Sequence, residues 1–309
     1  MKLFKREKDR DSGFLHRIKE IKKNGVAFNL LGAIPMVWSL ILVLLVVWGV
    51  NVALADPNWY LDNSNTFITQ KFTLTNFIEA VQKFRQQVSD PTVGMRWVGY
   101  WEMFWNSIWY SVGGTFMKML ATVCFAYAVA RFEFPGRKVL YAFILLQMML
   151  PVYGQTAANY NLMLNLGILD SPWFLISQGA GHGMYFLISY SFFRNLPTGY
   201  VEAAKIDGAG PFTIFWKIML PMAKPIVIAL GIIQLIAYWN DYQNVLVFLK
   251  SYPTLSSALY TIKEQAFNLG LQTPSYFAGI FLSILPVAIL FIAFNKEIME
   301  NVSIGGLKG

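Results

Sequence analysis

Amide, carboxylate and aromatic side chains recur inside stretches that are otherwise apolar, and their chemistry is that of polar-ligand recognition. Gln147, Gln155 and Asn159 share one such stretch; Gln234, Asn240, Asp241 and Asn244 share another. Tyr153, Tyr238, Trp239 and Tyr242 lie beside them. Polar groups are costly in lipid and face the interior of a helix bundle or a watery cavity. Sugars are held by amide and carboxylate hydrogen bonds together with flat aromatic faces, so the mixture suits a carbohydrate. Tyr153, Gln155, Asn159, Gln234, Trp239, Asn240, Asp241, Tyr242 and Asn244 are the candidates for a substrate pathway. Such groups also tie membrane helices to each other, and for any single residue that role stands slightly ahead. Covalent chemistry is not indicated. The chain has no Gly-x-x-x-x-Gly-Lys-Ser/Thr, Gly-x-Ser-x-Gly or His-Glu-x-x-His pattern. Cys124 is the single cysteine, and His16 and His182 are far apart, so no disulfide, metal site, catalytic residue or cofactor is expected.

The elements that must position these groups follow from composition. Of 309 residues, 56% are hydrophobic and 14% charged, the profile of an all-α integral membrane protein. Residues 1–25 carry nine basic and four acidic side chains. There Phe14, Ile18 and Ile21 recur at helical spacing after Ser12, which fits either a surface amphipathic helix or a plain basic flank. Residues 26–55 form the first transmembrane helix. Ala53-Leu54-Ala55 resembles a signal-peptidase site, but the apolar run is about twice as long as a signal peptide's core, so a retained helix is expected. Residues 56–103 form an extracytoplasmic loop. In it Leu74, Phe77, Ile78, Val81, Phe84 and Val88 fit one face of a helix of about fifteen residues. Trp97, Trp101, Trp105 and Trp109 mark re-entry into the membrane interface. Further spans are expected over 106–130, 139–160 (broken by Pro151 and Gly154), 173–193, 222–249 and 275–294, within a transmembrane domain at 104–294. A tail, 295–309, closes the chain.

Six spans put both termini on one side, and charge decides which. With the termini cytoplasmic, inner segments hold eighteen basic residues and outer segments six, with Lys118 inside a span. That bias follows the positive-inside rule. The net charge of +8 is therefore topology, and nucleic acid is not implied.

The same count places a polar segment, 197–221, in the cytoplasm between spans four and five. Thr198 is a candidate cap, Glu202 sits near the positive end of a helix dipole, and Gly208 and Gly210 break that helix. Pro211 can open a second helix on which Phe212, Phe215, Ile218 and Met219 share a face, with Pro221 as its stop. Ala203, Ala204 and Ala209 leave a flat surface. Pattern alone does not separate a docking handle from a plain connector.

Glu202-Ala203-Ala204, Asp207-Gly208-Ala209, Phe215, Ile218, Leu220-Pro221 and Pro225 resemble the signature loop of permease subunits in binding-protein-dependent ABC importers. The chain is most similar to the carbohydrate, maltose-type branch. Supporting matches are Asn106-Ser107, Ala126-Tyr127 with Ala130-Arg131, Pro135-Gly136-Arg137, Leu166-Gly167-Ile168-Leu169-Asp170, Phe192-Phe193-Arg194-Asn195-Leu196-Pro197, Trp239-Asn240-Asp241 and Gly305-Gly306-Leu307-Lys308-Gly309. Residues 105–309 are covered well; 26–55 and 56–103 match only in kind.

The resemblance implies a transport subunit without enzymatic activity, multi-pass in a bacterial or archaeal cytoplasmic membrane. It would pair with a second, homologous permease as a heterodimer. Two ATPase subunits would grip a cytoplasmic coupling helix, and an external sugar-binding protein would deliver an oligosaccharide. Glu202, Ala203, Ala204, Asp207, Gly208, Ala209, Ile218, Leu220 and Pro221 inherit the ATPase-coupling role. In the maltose-type arrangement the partner permease provides most sugar contacts. An importer of a non-sugar solute is the alternative. An intramembrane enzyme would need catalytic pairs within spans, and a channel would leave the loop unexplained.

Overall fold

The computed structural model describes residues 25–90, 94–150, 154–180, 183–265 and 269–304. The basic flank before residue 25, Pro151, Tyr153, His182 and the closing Gly305-Gly306-Leu307-Lys308-Gly309 lie outside them. The chain divides into two compact units, Met1–Thr73 and Leu74–Gly309.

The first unit is organised by α1 (Gly25–Ala53). Its section Gly32–Ala53 has a mean hydropathy of 2.5 and at 1.5 Å per residue extends roughly 33 Å, enough for a hydrocarbon core of ~30 Å. Leu40, Leu44 and Val47 are all exposed, as expected of a helix that is apolar on every side. A short α2 (Pro57–Asp62) follows. The Asp56 carboxylate accepts the Trp59 amide at 2.9 Å, with Pro57 at the first helical position.

The second unit opens with α3 (Thr75–Lys83), and here the sequence expectation fails. The expected fifteen-residue helix ends at Lys83. Arg85–Asp90 (β1) instead pairs antiparallel with Gly94–Gly99 (β2), with Val88 opposite Arg96. The all-α expectation thus meets an exception in this hairpin. Phe84 and Val88 are both buried, and a spacing of four keeps side chains on one side in a strand as well as in a helix.

Four helical stretches among the described residues are long and apolar enough to cross a membrane: Gly32–Ala53, Tyr100–Arg131, Pro211–Trp239 and Thr273–Lys296. In the second unit they correspond to α4 (Tyr100–Arg131), a composite ending in α10 (Leu220–Trp239), and α13 (Thr273–Ile304). The other two expected spans are each divided. Residues 139–160 fall in α5 (Arg137–Met149) and α6 (Gln155–Asn165). Gly154, at φ +83°, stands before α6, a backbone state that suits glycine. Residues 173–193 fall in a 3₁₀ segment (Pro172–Ala180) and α7 (Gly183–Asn195). The expected fifth span, 222–249, is also shortened: α10 ends at Trp239, and α11 (Gln243–Phe248) follows a turn. α12 (Leu255–Gln265) leads to α13.

α4 is the central post, packed against the 3₁₀ segment, α7 and α10. Small residues permit the approach: a Cβ on Gly114 would lie 3.1 Å from the Tyr238 ring, and one on Gly113 would lie 2.5 Å from Leu175. Interhelical hydrogen bonds complete the joint, as expected where lipid gives helices no hydrophobic drive to associate. Asn106 Nδ2 donates to the Pro253 carbonyl at 3.0 Å, and Ser107 Oγ accepts the Leu255 amide at 2.9 Å. The Asn106-Ser107 pair thereby anchors the start of α12.

Candidate functional site

The segment 197–221 folds as a helix, a left-handed turn and a second helix. α8 (Gly199–Ile206) begins after Thr198, whose carbonyl accepts the Val201 and Glu202 amides at 2.9 and 3.0 Å. The Thr198 side chain makes no capping bond, contrary to the expected hydroxyl cap; its φ of −71° and ψ of −25° are helical rather than extended. Glu202 lies in the first turn, as expected. At the other end, Gly208 adopts φ +77°. Its amide donates to the Lys205 carbonyl at 3.1 Å and that of Ala209 to the Ala204 carbonyl at 2.9 Å, the paired bonds of a Schellman motif.

Glu202, Ala203, Asp207 and Gly208 are exposed, whereas Ala204 is buried and Ala209 packs with it against the bundle. Pro197, Tyr200, Ala203, Asp207 and Ile218 border an open groove of 620 Å³. Of the nine candidate coupling residues, Glu202, Ala203, Ala204, Asp207, Gly208 and Ala209 lie on α8 and its closing turn, while Ile218, Leu220 and Pro221 lie further along the chain, where Pro221 does not act as the expected stop. α9 (Pro211–Ile214) runs into a π turn (Phe215–Met219) and then α10 without a stop. Proline lacks a donor for the carbonyl four residues back and clashes with it. Here that residue is Lys217, inside the widened turn, where the Leu220 amide reaches back five residues to Phe215. The π turn also splits the expected common face: Phe215 and Met219 are buried, while Phe212 is 81% exposed.

A second feature surrounds the break after α10. A polar cavity of 410 Å³ collects Gln234, Asn240, Asp241, Tyr242 and Asn244 with Gln178, Tyr238 and Gln243. Asp241 Oδ2 accepts the Tyr110 hydroxyl and Asn244 Nδ2, each at 2.7 Å, and its Oδ1 accepts the Asn244 amide at 3.1 Å. Tyr238 donates its hydroxyl to Gln178 Oε1 at 3.0 Å. Five of the nine pathway candidates are thus brought together. Gln155 and Asn159 are exposed on α6 outside the cavity, as is Gln147 on α5. Trp239 turns away: it is buried, and its indole N–H donates to the Ser283 carbonyl at 3.0 Å. Gln178 was missed although it is a polar residue within an expected span. Tyr110 carried no signal beyond its place on an apolar helix. Lys118 is half-buried on α4 and forms no ion pair with a described residue.

Residues 122–296, more than half of the chain, match the family model of the binding-protein-dependent transport system inner membrane component. The chain is 29% identical over 274 residues to the diacetylchitobiose uptake system permease protein NgcG of Streptomyces coelicolor, covering 85% of this chain and 86% of that protein. It is 31% identical to the arabinooligosaccharides transport system permease protein AraQ of Halalkalibacterium halodurans, covering 68% of this chain and 75% of that one. Its fold resembles a chain of a bacterial ABC transporter involved in import of the acidic polysaccharide alginate, with a TM-score of 0.70 at 20% identity over 87% of this chain and 95% of that one. The chain therefore belongs to the binding-protein-dependent transport system inner membrane components, multi-pass subunits that move solutes and are not enzymes.

Proposed function

We propose that this chain is the transmembrane permease subunit of an ATP-driven importer for a carbohydrate, an oligosaccharide handed over by an external solute-binding protein. The observation that carries the reading is the Schellman-capped turn of 197–221, which presents Glu202, Ala203 and Asp207 beside an open groove while Ala204 and Ala209 root it in the bundle. A stiff, exposed handle on a membrane bundle serves a partner that pushes on it. Two ATPase subunits would hold this handle and that of a second, homologous permease. Their grip must differ between the two transport states, because a partner without differential affinity shifts nothing.

The proposed topology has six crossings with both termini cytoplasmic, supported by the eighteen-to-six charge bias. The third and fourth crossings are then broken helices, tolerated where they are covered by protein or line a cavity. The cavity around Asp241 is the proposed pathway surface, rich in the amide and hydroxyl groups that pair with sugar hydroxyls. The oligosaccharide assignment rests on the named solutes of the relatives.

The test is a cysteine at the exposed Lys205 in a Cys124→Ser background. It is expected to crosslink to the ATPase subunit that co-purifies with the chain and to resist membrane-impermeant reagents added outside the cell. Labelling from outside alone would overturn the topology and the handle together.

A further inference from the structure

Two family-like motifs stand outside the handle and the cavity: Ala126-Tyr127 with Ala130-Arg131 on the last turns of α4, and Pro135-Gly136-Arg137 in the turn that leads from it into α5. The structure shows what they touch. Tyr127 packs its ring against Phe215 of the π turn, centroids 4.8 Å apart, and against Phe193 of α7 at 5.4 Å. Arg131 Nη2 donates to the Leu196 carbonyl at 2.5 Å, just after α7 and before α8. Arg137 Nη2 donates to the Ala130 carbonyl at 3.1 Å. Both guanidiniums thus meet carbonyls at helix C-termini, which lack intrahelical partners and carry the negative end of the dipole. Ala126 and Ala130 are buried and leave room for these contacts. Both strands of the handle, the stem before α8 and the turn after α9, therefore lean on one turn of α4.

The first half of the same helix meets the cavity. Tyr110 holds Asp241 at 2.7 Å, and Gly114 seats the ring of Tyr238. Between Tyr110 and Arg131 the helix is unbroken and extends roughly 32 Å at 1.5 Å per residue. Displacement passes along a packed, hydrogen-bonded element because such contacts are bistable rather than continuously deformable.

We propose that α4 is the connecting rod between handle and cavity, with Tyr127 and Arg131 as positioning residues at its handle end and Tyr110 at its cavity end. This rests on the proposed role of the 197–221 handle. In the present state the buried Nε of Arg131 has no partner among the described residues, which leaves one donor for a second arrangement of the joint.

The experiment uses the chain co-purified with its permease and ATPase partners in lipid nanodiscs. The readout is the ATP-dependent change in maleimide labelling of Gln243→Cys, on the cavity rim, in a Cys124→Ser background. Losing a charge-assisted hydrogen bond is expected to shrink that change about tenfold in Arg131→Gln. ATP hydrolysis and the Lys205→Cys crosslink to the ATPase should persist, and Arg131→Lys should recover part of the response. Tyr110→Phe should also shrink it, and the double variant should be no worse than Arg131→Gln, because both residues interrupt one rod. A parental response in Arg131→Gln, multiplicative losses in the double variant, or loss of the crosslink would each overturn the rod. Absence of the crosslink in the parent would instead remove the handle reading, and the rod with it.

Discussion

Gly208→Val isolates the backbone requirement of the handle. At φ +77° the residue occupies the left-handed region, and an added Cβ would have nothing within 4 Å. Steric collision is thereby removed, leaving only the conformational cost, about 1–2 kcal/mol for an L-residue and highest for a β-branched one. The turn relieves that cost by giving up the Gly208 and Ala209 bonds to the Lys205 and Ala204 carbonyls. The population with an intact handle should then fall roughly 5–30-fold relative to competing conformers. Membrane insertion should survive, since no span is touched. Asn tolerates the left-handed region, so Gly208→Asn should stay near parental behaviour and Gly208→Ala should fall between. The assay is the ratio of solute imported to ATP hydrolysed in proteoliposomes containing the whole complex. The expected order is glycine, asparagine, alanine, valine. Parental coupling in Gly208→Val would refute the stiff-handle reasoning. Equal damage from asparagine and valine would show that bulk at a contact surface matters, and φ does not.

Four further outcomes follow from packing, charge and hydrogen bonding. Gly279→Ala would set a Cβ 2.2 Å from the Phe84 ring, which is 1% exposed; overpacking should cost about 1–3 kcal/mol. Melting in detergent should show that loss and its partial recovery with Phe84→Leu, and no recovery would mean the clash is absorbed elsewhere. Burial pushes the Glu79 carboxyl upward, but hydrogen bonds from Lys83 and Ser275, with the Lys83 charge, outweigh it and hold the group below its ordinary value. A lowered folded pKa adds stability that is complete above the unfolded value, about 4.3, and is lost as pH falls through the folded one. Glu79→Gln should therefore lower the melting temperature at pH 7, with the gap closing below about pH 4; a gap independent of pH would refute the ionic origin. Asn240→Ala should weaken uptake of the cognate oligosaccharide about fivefold, as expected for one neutral hydrogen bond, with unchanged yield. Trp239→Ala should reduce yield instead, since losing a buried Trp costs about 3–5 kcal/mol, and normal yield with lost uptake would return Trp239 to the pathway.

What the sequence revealed was whatever lies within one element. The handle was legible because capping, glycine and proline act over a few residues: Gly208 breaks α8 where expected, and Glu202 sits in its first turn. The hairpin at Arg85–Asp90 was not, because Phe84 and Val88 satisfy both periods. Pro221 misled because a stop was read from one residue, while its neighbours formed a π turn that accommodates it. The cavity was half legible. Gln234, Asn240, Asp241, Tyr242 and Asn244 lie within one short stretch, but Gln178 and Tyr110 reach it from other elements, through partners that no periodicity records.

Two helices join the handle to that cavity, and their construction differs in a way that bears on mechanism. α10 is covalently continuous with the handle through the π turn that ends it, and Pro225 removes a donor one turn into the helix. Each feature weakens the hydrogen-bond ladder at a definite point, where helices bend. α4 is not continuous with the handle but has no proline along its 32 residues, and Gly113 and Gly114 are close-packed against Leu175 and Tyr238. A push on the proposed handle would therefore meet a yielding connection along the chain and a stiff one across space. The yielding path would let the handle change angle without tearing α10 from the bundle. The stiff path would deliver what remains of the motion to Tyr110 and Asp241, so the cavity should respond to the packing of α4 more than to the continuity of the chain.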